Sequence, residues 1–182
     1  FGSAAAGAAA SQALRQSLED PELPVTWVEG AACAGSAIAG IQIHAIAGAW
    51  VRTHNDNGVV TRIWNDALAS HCVVNTVLPR QISAARPLQA GEVLERLQSG
   101  LASAKMTMKD IARTWFYLDD LLSWYGDFNR VRNDVFARNQ LRPHSLPAST
   151  GVSGRNLAGA ALVVVAWAVR PHDPAVGAVH PV

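Results

Sequence analysis

"DIARTWFYLDD" at residues 110–120, running directly into "LLSWYGDFNRVRNDVFARN" at 121–139, decides how this chain folds. The first part alternates well enough to be a β-strand that ends at its two aspartates. In the second, Tyr125, Phe128, Val131 or Arg132, and Val135 recur at helical spacing, so a strand passes straight into an amphipathic helix. Pro143 and Pro147 bracket the loop that follows, and "ASTGV" and "ALVVVAWAV" then read as two further strands. Upstream, "LQAGEVLERLQSGLASAKM" is a helix whose apolar stripe is Val93, Leu94, Leu97 and Leu101, with Glu92, Glu95 and Arg96 largely off it.

Before that helix, "HCVVNTVL" (71–78) and "VVTRIW" (59–64) are strands, and Asn57-Gly58 tolerates the positive φ values of a type I′ hairpin turn. "VTWVE" (25–29) and "AGIQIHAIAGAWVRTH" (39–54) are β-like as well. From residue 59 onward the order is β-β-α-β-α-β-β. That order predicts an α+β sandwich: one mixed sheet with two helices on one face. The other face needs cover, and oligomerisation is the natural means, since large exposed apolar faces are rare on monomers. Residues 59–171 form the expected domain, residues 1–58 an N-terminal extension with a helix and extra strands, and residues 172–182 a tail.

The 182 residues carry 49% hydrophobic side chains, a globular composition that buries about 70% of its unfolded surface on folding. Fifteen Lys and Arg against fourteen Asp and Glu give a net charge of +1, which offers no general attraction to a polyanion. Arg130, Arg132, Arg138 and Arg142 are offset by Asp127 and Asp134 and have no aromatic stripe beside them, so no nucleic-acid partner is expected. Cys33 and Cys72 fall outside any C-x-x-C spacing; they read as two packed thiols in a reducing, cytoplasmic setting, with a single disulfide left open.

The first twenty residues are alanine-rich without a basic start or strongly apolar centre, and predict a frayed helix ending before Pro21 rather than a signal peptide. The chain begins with Phe rather than Met, consistent with a start further upstream. Gly30 to Val51 is uncharged and long enough for a bilayer, but it is mostly Ala and Gly with Gln42 and His44 inside. It reads as a buried strand entered through a small-residue loop, and no membrane partner is expected.

The order of elements, with "DIARTWFYLDD", "FNRVRNDVF" (Phe128, Asn129, Arg132, Phe136), "PASTGVSG" and "GAALVVVAWAV", resembles the YjgF-type or Rid (reactive intermediate deaminase) superfamily. The "PASTG" spelling and the combination of "RTW-Y-L" with "FN--R---F" also resemble the chorismatases, whose fold is related and which remove pyruvate from chorismate. The resemblance covers roughly residues 59–171. It implies the chorismate-mutase-like fold, a homotrimer with its helices outward, and small-molecule sites in clefts between subunits.

Imine-hydrolysing relatives carry Pro-Ala-Arg-Ser-Thr, whose Arg grips the substrate carboxylate, and a Glu in the last strand. Here Pro147-Ala148-Ser149-Thr150 lacks that Arg, and Val163 and Val165 precede Ala166-Trp167-Ala168. Chorismatases are about twice as long and use an acidic proton donor, for which this last strand offers no counterpart.

Arg113, charged within an apolar strand, needs either a carboxylate such as Asp119 or Asp120 or a wet cleft in which to grip a substrate anion. Asn129 matches an Asn that Rid members use near the site, and Arg132, one helical turn on, shares its face or serves as a solvated charge. Ser149 and Thr150 can hydrogen-bond a carboxylate, with Gly151 allowing close approach, or can simply shape a turn. Tyr117 and Tyr125 read as core aromatics or as hydroxyls over a ligand. Asn75 and Thr76 lie where the family strand usually reads Ser-Gly before its site loop.

His71 and Cys72 are adjacent, point to opposite faces of a strand, and make no dyad by themselves. His44 reads as a core histidine. No ligand pair is spaced for zinc, no G-x-S-x-G elbow is present, and no metal or cofactor is expected.

Arg113, Asn129 and Ser149 are therefore the catalytic candidates, and Tyr117, Tyr125, Arg132, Thr150, Gly151, Asn75 and Thr76 the binding candidates. The expected function is hydrolysis or elimination at an imine, enamine or enol ether of a small carboxylate-bearing metabolite. The alternative is a non-catalytic binding homologue that has lost the family Arg and Glu.

Overall fold

The structure, a computed structural model, describes residues 4–20, 22–29, 40–141, 146–173 and 175. The elements are α1 (Ala4–Ser17), β1 (Arg52–Asp56), β2 (Val59–Asn65), β3 (Ala69–Val77), α2 (Arg86–Ser103), β4 (Ile111–Leu118), α3 (Leu121–Arg138), β5 (Ala148–Ser153) and β6 (Leu162–Pro171). One six-stranded sheet has the order β1-β2-β3-β6-β4-β5, with only β4 and β5 parallel. The α+β architecture is thus the one the sequence predicts. A parallel neighbour needs a crossover, and α3 supplies it between β4 and β5.

Strands β2, β3, β4 and β6 send alternate side chains to the helices. Ile63, Cys72, Val74, Phe116, Leu118, Leu162, Val164 and Ala166 form one cluster with Val93, Leu94, Leu97 and Leu101 of α2 and with Phe128, Val135 and Phe136 of α3. Pro87 sits in the first turn of α2, where its missing N–H costs no intrahelical bond. At the β1–β2 hairpin, Asn57 and Gly58 have φ of 51° and 80°, the turn that their spelling predicts. Cys72 is a free, fully buried thiol, pushed up to about 12 by burial and by the nearby Asp110 charge, so it stays protonated. Cys33 lies outside the described residues.

α2 approaches the sheet closely at Gly100. A Cβ there would lie 2.7 Å from Val74 Cγ1 and 3.0 Å from Val59 Cγ1. Gly100→Ala gains about 1 kcal/mol of helix propensity but overpacks a rigid contact at a cost of about 1–3 kcal/mol. The expected outcome is a net loss, read as a thermal midpoint lowered by a few degrees; a raised midpoint would show that the valines yield.

Two local expectations are corrected. Residues 25–29 and 40–51 lie in no strand, and Ile41 and Ile43 are 66% and 78% exposed, because no neighbouring backbone ladder takes them up. In α3 it is Trp124, not Tyr125, that turns inward. A kink at Trp124 (φ −143°) and its indole N–H on the Asp119 carbonyl (2.9 Å) rotate the first turn, leaving Tyr125 44% exposed. The residues 30–39 of the uncharged stretch lie outside the described residues, and among the described residues no helix is long and apolar enough to cross a membrane.

The helix-free face of the sheet meets the chain's own N-terminal residues. Asp20 Oδ2 accepts from Arg62 Nη2 at 2.6 Å, and the Thr26 and Thr76 hydroxyls are 2.9 Å apart. The Glu29 N–H donates to the Arg155 carbonyl at 2.7 Å, and Val28 Cγ1 sits where a side chain on residue 154 would be. His44 packs its ring against Trp64 and Trp167. Part of the cover expected from other subunits is therefore intramolecular.

Candidate functional site

The register of β4, β5 and β6 sorts the candidate residues onto the two faces of the sheet. Arg113 pairs with Ala148 on one side and Trp167 on the other, Trp115 with Thr150 and Val165, and Tyr117 with Val152 and Val163. Paired residues share a face, so all of these project onto the helix-free, open face. Thr114 pairs with Ser149 and Phe116 with Gly151, which puts Ser149 and Gly151 on the helix side.

Arg113 Nη2 donates to Thr150 Oγ1 at 3.0 Å, and its guanidinium carbon lies 5.0 Å from the Trp115 ring centroid. Neither expected carboxylate reaches it. Asp119 pairs with Arg155 (3.3 Å) and Arg86 (3.8 Å), and Asp120 pairs with Arg86 at 3.4 Å. Among the described residues, Arg113 forms no ion pair. An exposed guanidinium, flattened on an indole and held by a hydroxyl, retains its capacity for a bidentate anion. Tyr117, the next residue beyond Trp115 on the same face of β4, is half-buried, and burial raises its phenol above the ordinary value, so it remains a hydrogen-bond donor.

The other candidates are not at this point. Asn129 and Arg132 lie on α3, across the sheet from Arg113. Asn129 Oδ1 and Arg132 Nε are buried without a hydrogen-bond partner, while Arg132 Nη2 donates to Asn133 Oδ1 at 3.2 Å and the guanidinium packs near the Phe128 and Phe136 rings. Tyr125 stacks on Phe128 from outside. Asn75 pairs with Val60, hence on the open face, and its amide donates to the Val73 carbonyl at 3.2 Å. Thr76 has φ of 50° at a register shift in β3, a rare conformation for a β-branched residue, and its hydroxyl meets Thr26. The expected trio therefore splits: Arg113 contacts Thr150 and shares its face with Tyr117, while Asn129 and Ser149 lie on the other side of the sheet.

Sequence reasoning missed a second group on the open face. Trp64 and His71 are register partners whose rings stack at 5.0 Å and 6°. Trp167 lies 5.9 Å from His71, and His44 closes over both tryptophans at 5.6 and 5.2 Å. His71 Nε2 and Asp66 Oδ2 are 2.8 Å apart, and Asp66 Oδ1 accepts the Leu68 and Ala69 N–H groups at 2.8 Å each. The Leu68 N–H, then His71, then the Ala69 N–H hold the Asp66 carboxyl down at about 2. The available signal was "NDALASH": a tight turn at 66–69 brings Trp64 opposite His71 and the turn aspartate within reach of the imidazole. Among the described residues, no group of three His, Cys, Asp or Glu is arranged to hold a metal ion.

A mixed sheet with β6 inserted between β3 and β4 and two helices on one face is the fold of the YjgF-type (Rid) proteins. Neither a family model nor a curated protein matches the sequence at a significant level. Solved structures do. Escherichia coli TdcF, crystallised with bound serine, is 20% identical with a TM-score of 0.51, the match covering 71% of this chain and 91% of TdcF. The E. coli YjgF gene product is also 20% identical, at TM-score 0.51 over 69% of this chain and 91% of its own. HI0719 of Haemophilus influenzae is 24% identical at TM-score 0.50, over 56% and 84%. At these identities the likeness establishes the fold.

Proposed function

We propose that the chain is a Rid/chorismatase-type enzyme that binds a small carboxylate-bearing metabolite on the open face and hydrolyses or eliminates at its imine, enamine or enol ether. The observation that carries this reading is Arg113: a cation without a carboxylate partner among the described residues, preorganised by Trp115 and Thr150. It stands in for the missing Arg of the Pro-Ala-Arg-Ser-Thr motif. Thr150 and Tyr117 orient the anion; Asn75 and Thr76 border the same face. The serine bound by TdcF is itself a small carboxylate, which supports this ligand class. Residues 59–171 carry the activity, and a neighbouring copy in a homotrimer closes the β5 edge of the cleft.

The test is mass-resolved turnover of freshly generated 2-aminoacrylate and of chorismate. Ammonium and pyruvate from the first mark a deaminase; pyruvate from the second marks a compact chorismatase. Arg113→Ala removes a charge-assisted hydrogen-bond pair of about 1.5–3 kcal/mol, so KM is expected to rise about 10- to 100-fold. An unchanged KM and kcat would overturn the assignment.

A second reading is favoured by Val163 and Val165, which present apolar groups where relatives place a Glu. In that reading the face binds the metabolite without converting it, and calorimetry would give Arg113-dependent binding with no product.

A further inference from the structure

We propose that Trp64, His71 and Trp167 form a binding seat for the ring of a planar nitrogen heterocycle, and that His44 fills this seat when no ligand is bound. The seat is built on strands. Trp64 of β2 and His71 of β3 are register partners whose rings stack at 5.0 Å and 6°. Trp167 of β6 lies two residues from Val169, the partner of His71, so it stands diagonally across, with ring centroids 5.9 Å apart. Aromatic side chains bridge such diagonal positions readily. The imidazole is fixed in turn: its Nε2 lies 2.8 Å from Asp66 Oδ2, while Asp66 Oδ1 accepts the Leu68 and Ala69 N–H groups. Three rings are thus held by the sheet and its β2–β3 turn.

The occupant is held far less firmly than the seat. His44 meets Trp64 nearly edge-on (5.6 Å, 78°) and Trp167 at a tilt (5.2 Å, 58°), yet it is itself exposed. Among the described residues, no other member of the 40–50 segment makes a hydrogen bond, ion pair or ring contact. A segment with so few ties opens at little cost. His44 also serves the seat incompletely. His71 Nδ1 and Trp167 Nε1 are each buried with no hydrogen-bond partner, whereas buried polar groups are almost always paired. A ring that meets an indole edge-on presents its polarised N–H and C–H edge to the π-face. A nitrogen heterocycle offers that same edge and adds a donor and an acceptor of its own, and a fused bicycle covers more of the indole surface than an imidazole does. The seat is distinct from the anion grip. Trp167 is the cross-strand partner of Arg113, but that guanidinium reaches the other way, over Trp115 to Thr150. Binding at the seat is therefore independent of Arg113.

The probe is benzimidazole, with cyclohexanol as the saturated control, read by calorimetry and by the ring-proton NMR resonances of His44. In the wild type the ring currents of two indoles displace those resonances. Saturating benzimidazole should return them to the position of a free histidine, and cyclohexanol should leave them where they are. His44→Ala removes the competing ring, so it is expected to bind benzimidazole about 10-fold more tightly, the worth of two ring contacts that no longer have to be broken first. Trp167→Phe keeps a ring in the fold but shrinks the π-face, and should weaken binding; Arg113→Ala should leave it unchanged. Equal affinity in the wild type and His44→Ala, or benzimidazole binding that leaves the His44 resonances in place, would overturn the proposal. So would loss of binding in Arg113→Ala, which would put the probe at the anion grip. A His44→Ala variant that binds no benzimidazole and melts earlier would overturn it too, leaving His44 as a peg that fastens the N-terminal residues to the sheet.

Discussion

Phe128→Ala is expected to cost about 3–5 kcal/mol, the ordinary range for deleting a buried aromatic ring, and to lower the thermal midpoint by on the order of 10 °C in a domain of this size. Phe128 is 1% exposed and lies where α3 meets the sheet. Its ring is edge-on to Phe116 at 5.0 Å and to Trp124 at 5.9 Å, and the Arg132 guanidinium carbon sits 5.7 Å from its centroid. Truncation removes the ring area and these oriented aromatic contacts together, and β-strand and helix cannot both move in to refill the space. Phe128→Leu keeps most of the volume and should lose well under half as much. Denaturant unfolding that found the alanine variant within about 0.5 kcal/mol of the wild type (the range of an ordinary surface change) would show that α3 collapses onto the sheet.

Gln89→Leu is expected to destabilise on the order of 3 kcal/mol, although it makes the core more apolar. Gln89 is 4% exposed. Its Nε2 donates to the Ile82 and Ala84 carbonyls at 2.9 and 2.8 Å, and its Oε1 accepts from the Ala161 N–H at 2.8 Å. One amide thus ties the loop before α2 to the start of β6. Leucine fills the volume but orphans three backbone groups, and each buried unsatisfied group costs about 1–3 kcal/mol. The Ala161 N–H is the least able to recover a partner, since Ala161 is only 5% exposed. Gln89→Glu separates the donor from the acceptor. Its carboxylate can accept from Ala161 but repels the two carbonyls, so burial raises its pKa and the variant should be more stable at acidic than at neutral pH. Equal stability of Gln89→Leu and wild type in urea titration would mean that water replaces all three bonds.

The contrast between these two residues shows what a sequence reveals. Phe128 is readable because it repeats with Val135 at helical spacing, and Val93, Leu94, Leu97 and Leu101 are readable in the same way. Gln89 is polar on an apolar stripe and interrupts the period; its partners are fixed only when residues 82, 84 and 161 meet in space. The β-like patterns at 25–29 and 40–51 failed for a related reason. Alternation records a capacity to pair, and the sheet provides these residues no ladder. Arg113 was legible as a charge needing an explanation, but the choice between ion pair and open cation depended on Arg86 and Arg155 capturing Asp119 and on Arg86 reaching Asp120. Ser149 and Thr150, neighbours in one short motif, were separated by the pleat, and only the β4–β5 register tells which of them joins Arg113.

The position of β6 also governs how the molecule can be made. Residues 162–171 are synthesised after the other five strands of the sheet, yet they lie inside it, between β3 and β4. Until the ribosome has released them, β1–β2–β3 and β4–α3–β5 are two half-sheets with no common hydrogen-bond ladder. Val74, Phe116 and Leu118, all fully buried in the finished fold, line the seam that β6 closes. A nascent chain therefore carries two unsatisfied inner edges from the completion of β4 until β6 emerges, the kind of edge that recruits a wrong strand from another chain. Completion is a late, single insertion, and the interval before it is when this protein most needs a chaperone.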